Sequence, residues 1–303
     1  MKRAQGRWAT LRRGLTLLVV LTLLGLLVPN AGRAPTEVSL VKVEGASGLD
    51  TEPGVVWILA LGSDARPGEP VLRSRSDAIQ LVGMNPRTGD ATVIGIPRDS
   101  YVAIPGFGQD KINSAMVYGG PQLAARAVAQ MVGITPDYVF TTSFVGFRRM
   151  VYRIGGVRVL SRHAYTEPLV RIRRGFNSLD GLQSLVFVRQ RYALPDGDFD
   201  RSRNQGRFLF DGLRTVQALT QDSGQLERIL SVFAEKTDID IGPVELYRLA
   251  HGVLQVDPAK VTLCVVRGSA GMAGSASVVF ADIAYARRIA GRARADARLE
   301  GGC

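Results

Sequence analysis

The stretch VVWILALGSDAR, residues 55–66, runs through nine uncharged residues and then places Asp64 and Arg66 just beyond a glycine and a serine. An apolar run of this kind, rich in β-branched residues and closed by glycine, reads as a buried strand with a polar site at its exit. Two similar runs come next, AIQLVGM (78–84) and ATVIGI (91–96), joined by the turn-forming residues NPRTGD at 85–90. A short strand, SYVAIPG (100–106), is stopped by Pro105 and Gly106. PQLAARAVAQMV (121–132) then has helical spacing with proline in its first turn.

The alternation continues. DYVFTTS (137–143) reads as a strand and FVGFRRMVYRIGG (144–156) as a helix closed by two glycines. GRFLFDGLRTVQAL (206–219) puts Phe208, Leu209, Leu213 and Val216 on one helical face. VTLCVVRG (261–268) is a late strand, and residues 282–298 form a basic final helix. Strands alternating with helices predict an α/β domain, with a central mostly parallel or mixed β-sheet covered by helices in αβα layers.

Composition sets the bounds. At 303 residues and 46% hydrophobic, the chain is long enough to bury a full core. Net charge is +11, but the first 33 residues hold six Lys/Arg and no acid, which leaves 32 basic residues against 27 acidic ones. The basic excess is therefore largely N-terminal, and no nucleic-acid partner is expected. Residues 1–13 read as a cytoplasmic basic tail, and 14–31 as a transmembrane anchor or, alternatively, a signal peptide. Either way the positive-inside rule exports the remainder of the chain, which divides into a stalk at 32–53 and a catalytic domain at 54–300. The two cysteines, Cys264 and Cys303, have no metal-site spacing. A disulfide between them is open in an oxidising compartment, with Cys264 as a small buried hydrophobe the bland reading.

Polar clusters sit at element ends, where α/β folds place ligand sites. They are GSDAR with Asp64 and Arg66, RSRSD with Arg73, Arg75 and Asp77, and IPRD with Arg98 and Asp99, then the KIN triplet of Lys111 to Asn113. Singly, each is more simply a turn residue or a surface ion pair. Together they repeat one pattern, arginine beside aspartate at an element end. Asp64 and Asp77 make a hard-oxygen pair suited to Mg²⁺, which bridges carboxylates and substrate phosphates. Arginines suit the remaining phosphate oxygens through bidentate, permanently charged contacts. Phosphoryl transfer needs mainly positioning and charge neutralisation, so it dispenses with a Cys or His nucleophile. His163 and His251 read as structural or solvated, and no HExxH, GxSxG or Walker A motif is present.

The densest cluster is RQRYALPDGDFDRSRNQGRF, residues 189–208. If Arg189 and Arg191 lie on an extended segment, their side chains share a direction. Pro195 to Gly197 then turn, Asp198 sits in the loop, and a helix starts near Asp200 with Arg201 and Gln205 on one face. Arg203 and Arg207 fall on another face and read as solvated or ion-paired.

The ordered set GSDxR, RSD, IPRD, KIN, RxR and GDxxRxxxQ resembles the LytR-CpsA-Psr family of cell-wall glycopolymer ligases, over residues 57–219. The resemblance implies a polyprenyl-pyrophosphate-linked glycan as donor and peptidoglycan as acceptor. Transfer of the glycan with its proximal phosphate would release polyprenyl phosphate at the membrane surface. By motif, Asp64 and Asp77 would hold Mg²⁺, while Arg75, Arg98, Lys111, Arg189, Arg191, Arg201 and Gln205 would bind the pyrophosphate. Arg98, Asp99 and Asp198 are the catalytic candidates, with Asp198 and Gln205 also supporting the arginines. An apolar lipid tunnel is implied, walled by the helices at 123–132 and 144–154. The alternatives are a polyprenyl-pyrophosphate hydrolase, with water as nucleophile, and a non-catalytic membrane-anchored binding or regulatory protein.

Overall fold

The computed structural model describes residues 36–49, 54–221 and 224–303. The expected tail and anchor, and the two ends of the expected stalk, lie outside the described residues.

The strands are β1 (Val38–Lys42), β2 (Val56–Ser63), β3 (Ser76–Met84), β4 (Ala91–Gly95), β5 (Tyr101–Ile104), β6 (Gly108–Lys111) and β7 (Tyr138–Thr142). Then come β8 (Val157–Ser161), β9 (Tyr165–Glu167), β10 (Val170–Ile172), β11 (Gly175–Leu179), β12 (Asp238–Ile239), β13 (Val261–Val265), β14 (Gly268–Ala273) and β15 (Ala276–Ala281). The helices are α1 (Ser114–Val132), α2 (Phe144–Arg153), α3 (Gly181–Arg189), α4 (Asp198–Leu219), α5 (Gln225–Lys236), α6 (Pro243–Leu254) and α7 (Ile283–Ala293).

Seven strands make the main sheet in the order β12-β1-β7-β2-β3-β4-β13. β1–β12, β2–β7 and β4–β13 pair in parallel, while β1–β7, β2–β3 and β3–β4 pair antiparallel. Of the two expected arrangements, mostly parallel or mixed, the sheet takes the mixed one. The six-residue NPRTGD turn between β3 and β4 is one cause, because so short a connection can only close a hairpin. The stalk expected at 32–53 is corrected. Its residues 38–42 are β1, which pairs with β7 along its full length. VSLVK is short and lacks flanking strand signals, so only its long-range partner identifies it.

One face of the sheet presents Leu59, Leu61, Ile79, Leu81 and Ile94 to Leu123, Val128 and Met131 of α1 and to Tyr285, Ile289 and Ala290 of α7. Alanines at 124, 125 and 127 on α1 and at 286, 290 and 293 on α7 keep the helices close to this face. The expected helix start at Pro121 corresponds to a kink in α1, where Gly120 takes φ 66° and the chain restarts as a helix at the proline. Across the sheet, Leu40, Val56, Met84 and Tyr138 meet Leu213 of α4, Leu230 and Phe233 of α5, and Leu246 and Leu249 of α6. Leu209 is half exposed instead of joining Phe208 in the core.

A satellite layer completes the chain. The hairpins β8–β11 and β9–β10, with α2 and α3, enclose Val151, Val159, Tyr165, Ile172 and Phe187, and Phe208 of α4 closes this cluster. Cys264 and Cys303 form a disulfide with Cα atoms 5.7 Å apart, inside the usual range. Among the described residues, no helix is long and apolar enough to cross a membrane.

Candidate active site

The polar clusters converge at one edge of the sheet, at the exits of β2 and β4 and the entrance to β3. A bulge sets the geometry there. Gly62 pairs with Ala78 but Ser63 pairs with Ser76, so Asp77 is the extra residue of β3. Bulges re-aim side chains at sheet rims, and this one turns Asp77 toward the loops. The next register point is fixed by the Asp64 N–H, which donates to the Arg75 carbonyl at 2.9 Å. Two carboxylates from adjacent strands thus share one end of the sheet.

Asp77 is held by two guanidiniums. Arg98 ion-pairs with one carboxylate oxygen, and Arg189 Nε lies 3.8 Å from the other. Arg98 sits in the turn after β4, where its carbonyl accepts from Asn113 N–H and the Asn113 carbonyl accepts from Ser76 N–H. The KIN segment is thereby laced between the β3 and β4 loops. Lys111 Nζ is 3.1 Å from Asp99, whose second neighbour is Arg98 Nε at 3.7 Å. A backbone bond from Val279 N–H to the Asp99 carbonyl, 2.9 Å, braces this loop from β15.

From the other side, α4 brings Asp198 and Arg201. Arg201 is 5% exposed, with NH2 3.0 Å from Asp198 Oδ1, and Arg191 stands 3.8 Å from the same oxygen. Asp198 is the first residue of α4, not part of a preceding loop, and the helix begins there instead of near Asp200. Arg189 is likewise corrected. It ends α3, so Arg189 and Arg191 are not neighbours on an extended segment. Arg189 lies over the Phe144 ring at 4.3 Å and Arg191 over Tyr192 at 4.6 Å. Both planar cations are thereby held in place.

Electrostatics distinguish the carboxylates. Burial pushes Asp64 above the ordinary range and the nearby Asp77 charge adds to it, against Arg75 and Arg98. Burial also pushes Asp198 up, with Arg201 opposing and Asp99 reinforcing the rise. For Asp99 burial is outweighed by hydrogen bonding with Asp198 and by Arg98 and Lys111, so it falls below the usual range. The two neighbouring carboxyls are thus set apart, Asp99 below and Asp198 above the ordinary range. Arg201 is depressed by burial and by the charges of Arg98 and Arg191, despite Asp198. Buried Arg98 Nε donates to no acceptor among the described residues.

Of the two roles expected for Gln205, the geometry matches support of its neighbours. Its amide donates to the carbonyls of Asp77 at 3.2 Å and Val188 at 3.1 Å. Its donors are spent, so it ties β3, α3 and α4 together and positions Asp77 and Arg189 instead of gripping phosphate. Gln80 extends the knot, donating to the Ser202 carbonyl at 3.1 Å and lying 3.4 Å from Gln205 Oε1. Sequence reasoning passes over Gln80, although an amide alone inside the apolar run AIQLVGM is its signal. Arg75 is exposed and contributes through its charge at Asp64. Arg66 is exposed, its N–H donating to Glu69 at 2.8 Å outside the cluster. Arg203 pairs with the buried Asp200, and Arg207 bidentately with the buried Asp211 at 2.8 and 2.9 Å, as half-buried ion pairs. His163 lies 3.7 Å from Asp200, away from the reacting groups.

The donor set fits Mg²⁺. Two carboxylates stand at one sheet end, Asp64 raised by burial and then by the Asp77 charge, and such hard oxygen ligands suit that ion. No group of three or more acidic, His or Cys side chains comes together among the described residues.

The LytR_cpsA_psr family model matches residues 32–294. A teichoic acid transferase TagU of Enterococcus faecalis, named as transferring polyisoprenyl-linked teichoic acid to peptidoglycan, is 32% identical over 206 residues, 66% of this chain and 68% of that protein. TagT of Bacillus subtilis, named for the same activity, is 38% identical over 162 residues, 50% of each chain. The chain spans between about half and two thirds of these curated relatives. The solved structure "TagT bound to LIIa-WTA" superposes with TM-score 0.64 at 25% identity, covering 79% of this chain and 90% of that one.

Proposed function

Because the chain belongs to the LytR-CpsA-Psr family, we propose that it is an Mg²⁺-dependent phosphotransferase. It moves a glycopolymer with its proximal phosphate from a polyprenyl-pyrophosphate carrier to peptidoglycan. The observation that supports this reading is the charge balance at the sheet edge. Arg75, Arg98, Arg189, Arg191, Arg201 and Lys111 converge on Asp64, Asp77, Asp99 and Asp198. Six cations against four carboxylates leave a surplus that a multiply charged pyrophosphate neutralises.

Arg98 and Arg189 grip the phosphates from the β4 and α3 sides, with Arg201 and Arg191 behind them. Asp64 and Asp77 would hold Mg²⁺, which when bound supplies charge neutralisation at the pyrophosphate oxygens. The prenyl chain leaves along α2, where Phe144 underlies Arg189 and Val145 and Phe147 are half-buried. The acceptor hydroxyl oxygen bonds to the glycan-side phosphorus, and the bond from that phosphorus to the bridging oxygen breaks. Polyprenyl phosphate departs, and the hydroxyl proton passes to the Asp198 carboxylate of the Asp99–Asp198 pair. A raised carboxylate is the better base near neutral pH.

The relatives' names and the motif order support the same reading, and the disulfide suits an exported domain in an oxidising compartment. The test supplies a prenyl-pyrophosphoryl glycan, peptidoglycan fragments and Mg²⁺ to the full chain. Mass spectrometry should detect glycan joined to a muropeptide through one phosphate. Free glycan phosphate alone would replace this reading with hydrolysis.

A further inference from the structure

The hairpin that carries Lys111 has an unexplained tip. β5 and β6 turn at Pro105–Gly108, and Phe107 protrudes there, 53% exposed. Gly106 and Gly108, on either side, take φ 82° and 77°, a conformation that disfavours other residues, and a Cβ at either would meet nothing within 4 Å. Phe107 does not project alone. Its ring lies 4.8 Å from that of Tyr118, at 11° between planes. Tyr118 is itself 40% exposed, and Val117 beside it is 39% exposed.

Tyr118 is anchored at both ends. The Tyr118 hydroxyl donates to Asp110 Oδ2 at 2.5 Å, and its carbonyl accepts from Arg73 NH1 at 3.1 Å. Stacked, half-exposed aromatic rings rimmed by charged and amide groups suit a partner that is apolar on one face and hydroxylated around its edge. A pyranose ring is such a partner, since its axial C–H groups lie against the aromatic face while its hydroxyls reach Asp110, Gln109 and Arg73.

The shelf also continues the phosphate site. Lys111, three residues from Gly108 on the same strand, is about 10 Å away at the usual rise of about 3.3 Å per residue, roughly the length of a disaccharide. Arg75 acts electrostatically on both Asp110 and Tyr118. The arginine cluster also has an apolar side, where Arg189 stacks on Phe144.

The geometry points to the Phe107–Tyr118 shelf as a saccharide subsite that binds one of the first two sugars of the donor glycan. This subsite rests on the lipid-pyrophosphate reading, and the experiment separates the two. Affinities of the full chain in detergent are measured for farnesyl pyrophosphate and for farnesyl-pyrophosphoryl di-N-acetylchitobiose. Wild type should bind the sugar-bearing probe more tightly. Phe107→Ala and Tyr118→Ala should each weaken that probe about tenfold while leaving farnesyl pyrophosphate unchanged. Phe107→Trp should restore binding, and an unchanged melting temperature certifies the fold of each variant. Equal binding of both probes by wild type, or indifference of the sugar-bearing probe to both alanines, overturns the shelf alone. A rise in acceptor KM or a loss of vesicle binding, with donor affinity intact, also overturns it by reassigning the surface to acceptor or membrane. Failure of farnesyl pyrophosphate to bind at all overturns the functional reading beneath it.

Discussion

Asp77 meets two guanidiniums because a bulge turns it out of register, and the depth of each arginine decides what its loss does. Arg189 is half exposed, so Arg189→Ala should leave melting unchanged while lowering kcat/KM at least tenfold. A charge-assisted phosphate contact is worth about 1.5–3 kcal/mol. Arg201 is buried against Asp198, and Arg201→Ala leaves that carboxylate only the more distant Arg191, costing about 1.5–3 kcal/mol of stability as well as activity. The Asp99–Asp198 pair makes a prediction in pH. A base must be ionised, so kcat/KM falls on the acid side as Asp198 takes up a proton. Asp99→Asn removes a neighbour that raises Asp198, so the acid limb should move to lower pH. An upward move would assign the proton elsewhere. For Asp64 the sign favours the variant's stability. Its pKa in the fold is raised, so its ionisation opposes folding at neutral pH, and the cost disappears below the ordinary aspartate value, about pH 4. Asp64→Asn should melt higher than wild type at pH 7 but not at pH 3. Mg²⁺ should raise the melting temperature of wild type and not of this variant. Most of these residues are legible as Arg–Asp pairs at element ends. Gln80 and the spent amide of Gln205 are not, because a buried hydrogen-bond knot depends on which strand a helix crosses.

Elements place these residues through close approaches that small side chains permit. Local pattern does not reveal α3 as a helix, and without it the true setting of Arg189 is hidden. The run SLVFV is too short to show a period, but Asp180 and Gln183 form a capping box whose D-x-x-Q spacing is readable. Gly181, in the first turn, would place a Cβ 2.3 Å from the Arg148 carbonyl oxygen of α2. Gly181→Ala should therefore separate α3 from α2, cost about 1–3 kcal/mol, and reduce activity by displacing Arg189 from Phe144 and Asp77. Gly212 on α4 is the control, since a Cβ there meets nothing within 4 Å. Its alanine variant should gain about 0.5–1 kcal/mol in thermal unfolding. The long strands and the helices at 121–132 and 144–153 are visible as patterns. β1 and the satellite hairpins are not: β1 takes its partners, β7 and β12, from far along the chain, and β9 and β10 are only three residues each.

At the scale of the whole molecule, the sheet edge works because distant segments are tied to it. Cys264 closes a 39-residue separation to Cys303, and the Cys303 carbonyl accepts from the Tyr285 hydroxyl at 3.2 Å. A loop of that length corresponds to about 3–4 kcal/mol of unfolded-state entropy, so reduction should lower the melting temperature of wild type and leave a Cys264→Ser, Cys303→Ser variant unchanged. The α/β class emerges from strand and helix alternation, whereas the even mix of parallel and antiparallel pairs is a topological fact that local patterns do not encode. The central claim is that phosphate travels with the glycan. It is tested most directly with a prenyl-pyrophosphoryl glycan carrying ³²P only in the glycan-side phosphate, together with peptidoglycan fragments. Label should appear in the muropeptide product, with an equal amount of unlabelled polyprenyl monophosphate. Label recovered only as free glycan phosphate, or left on the lipid, would contradict it.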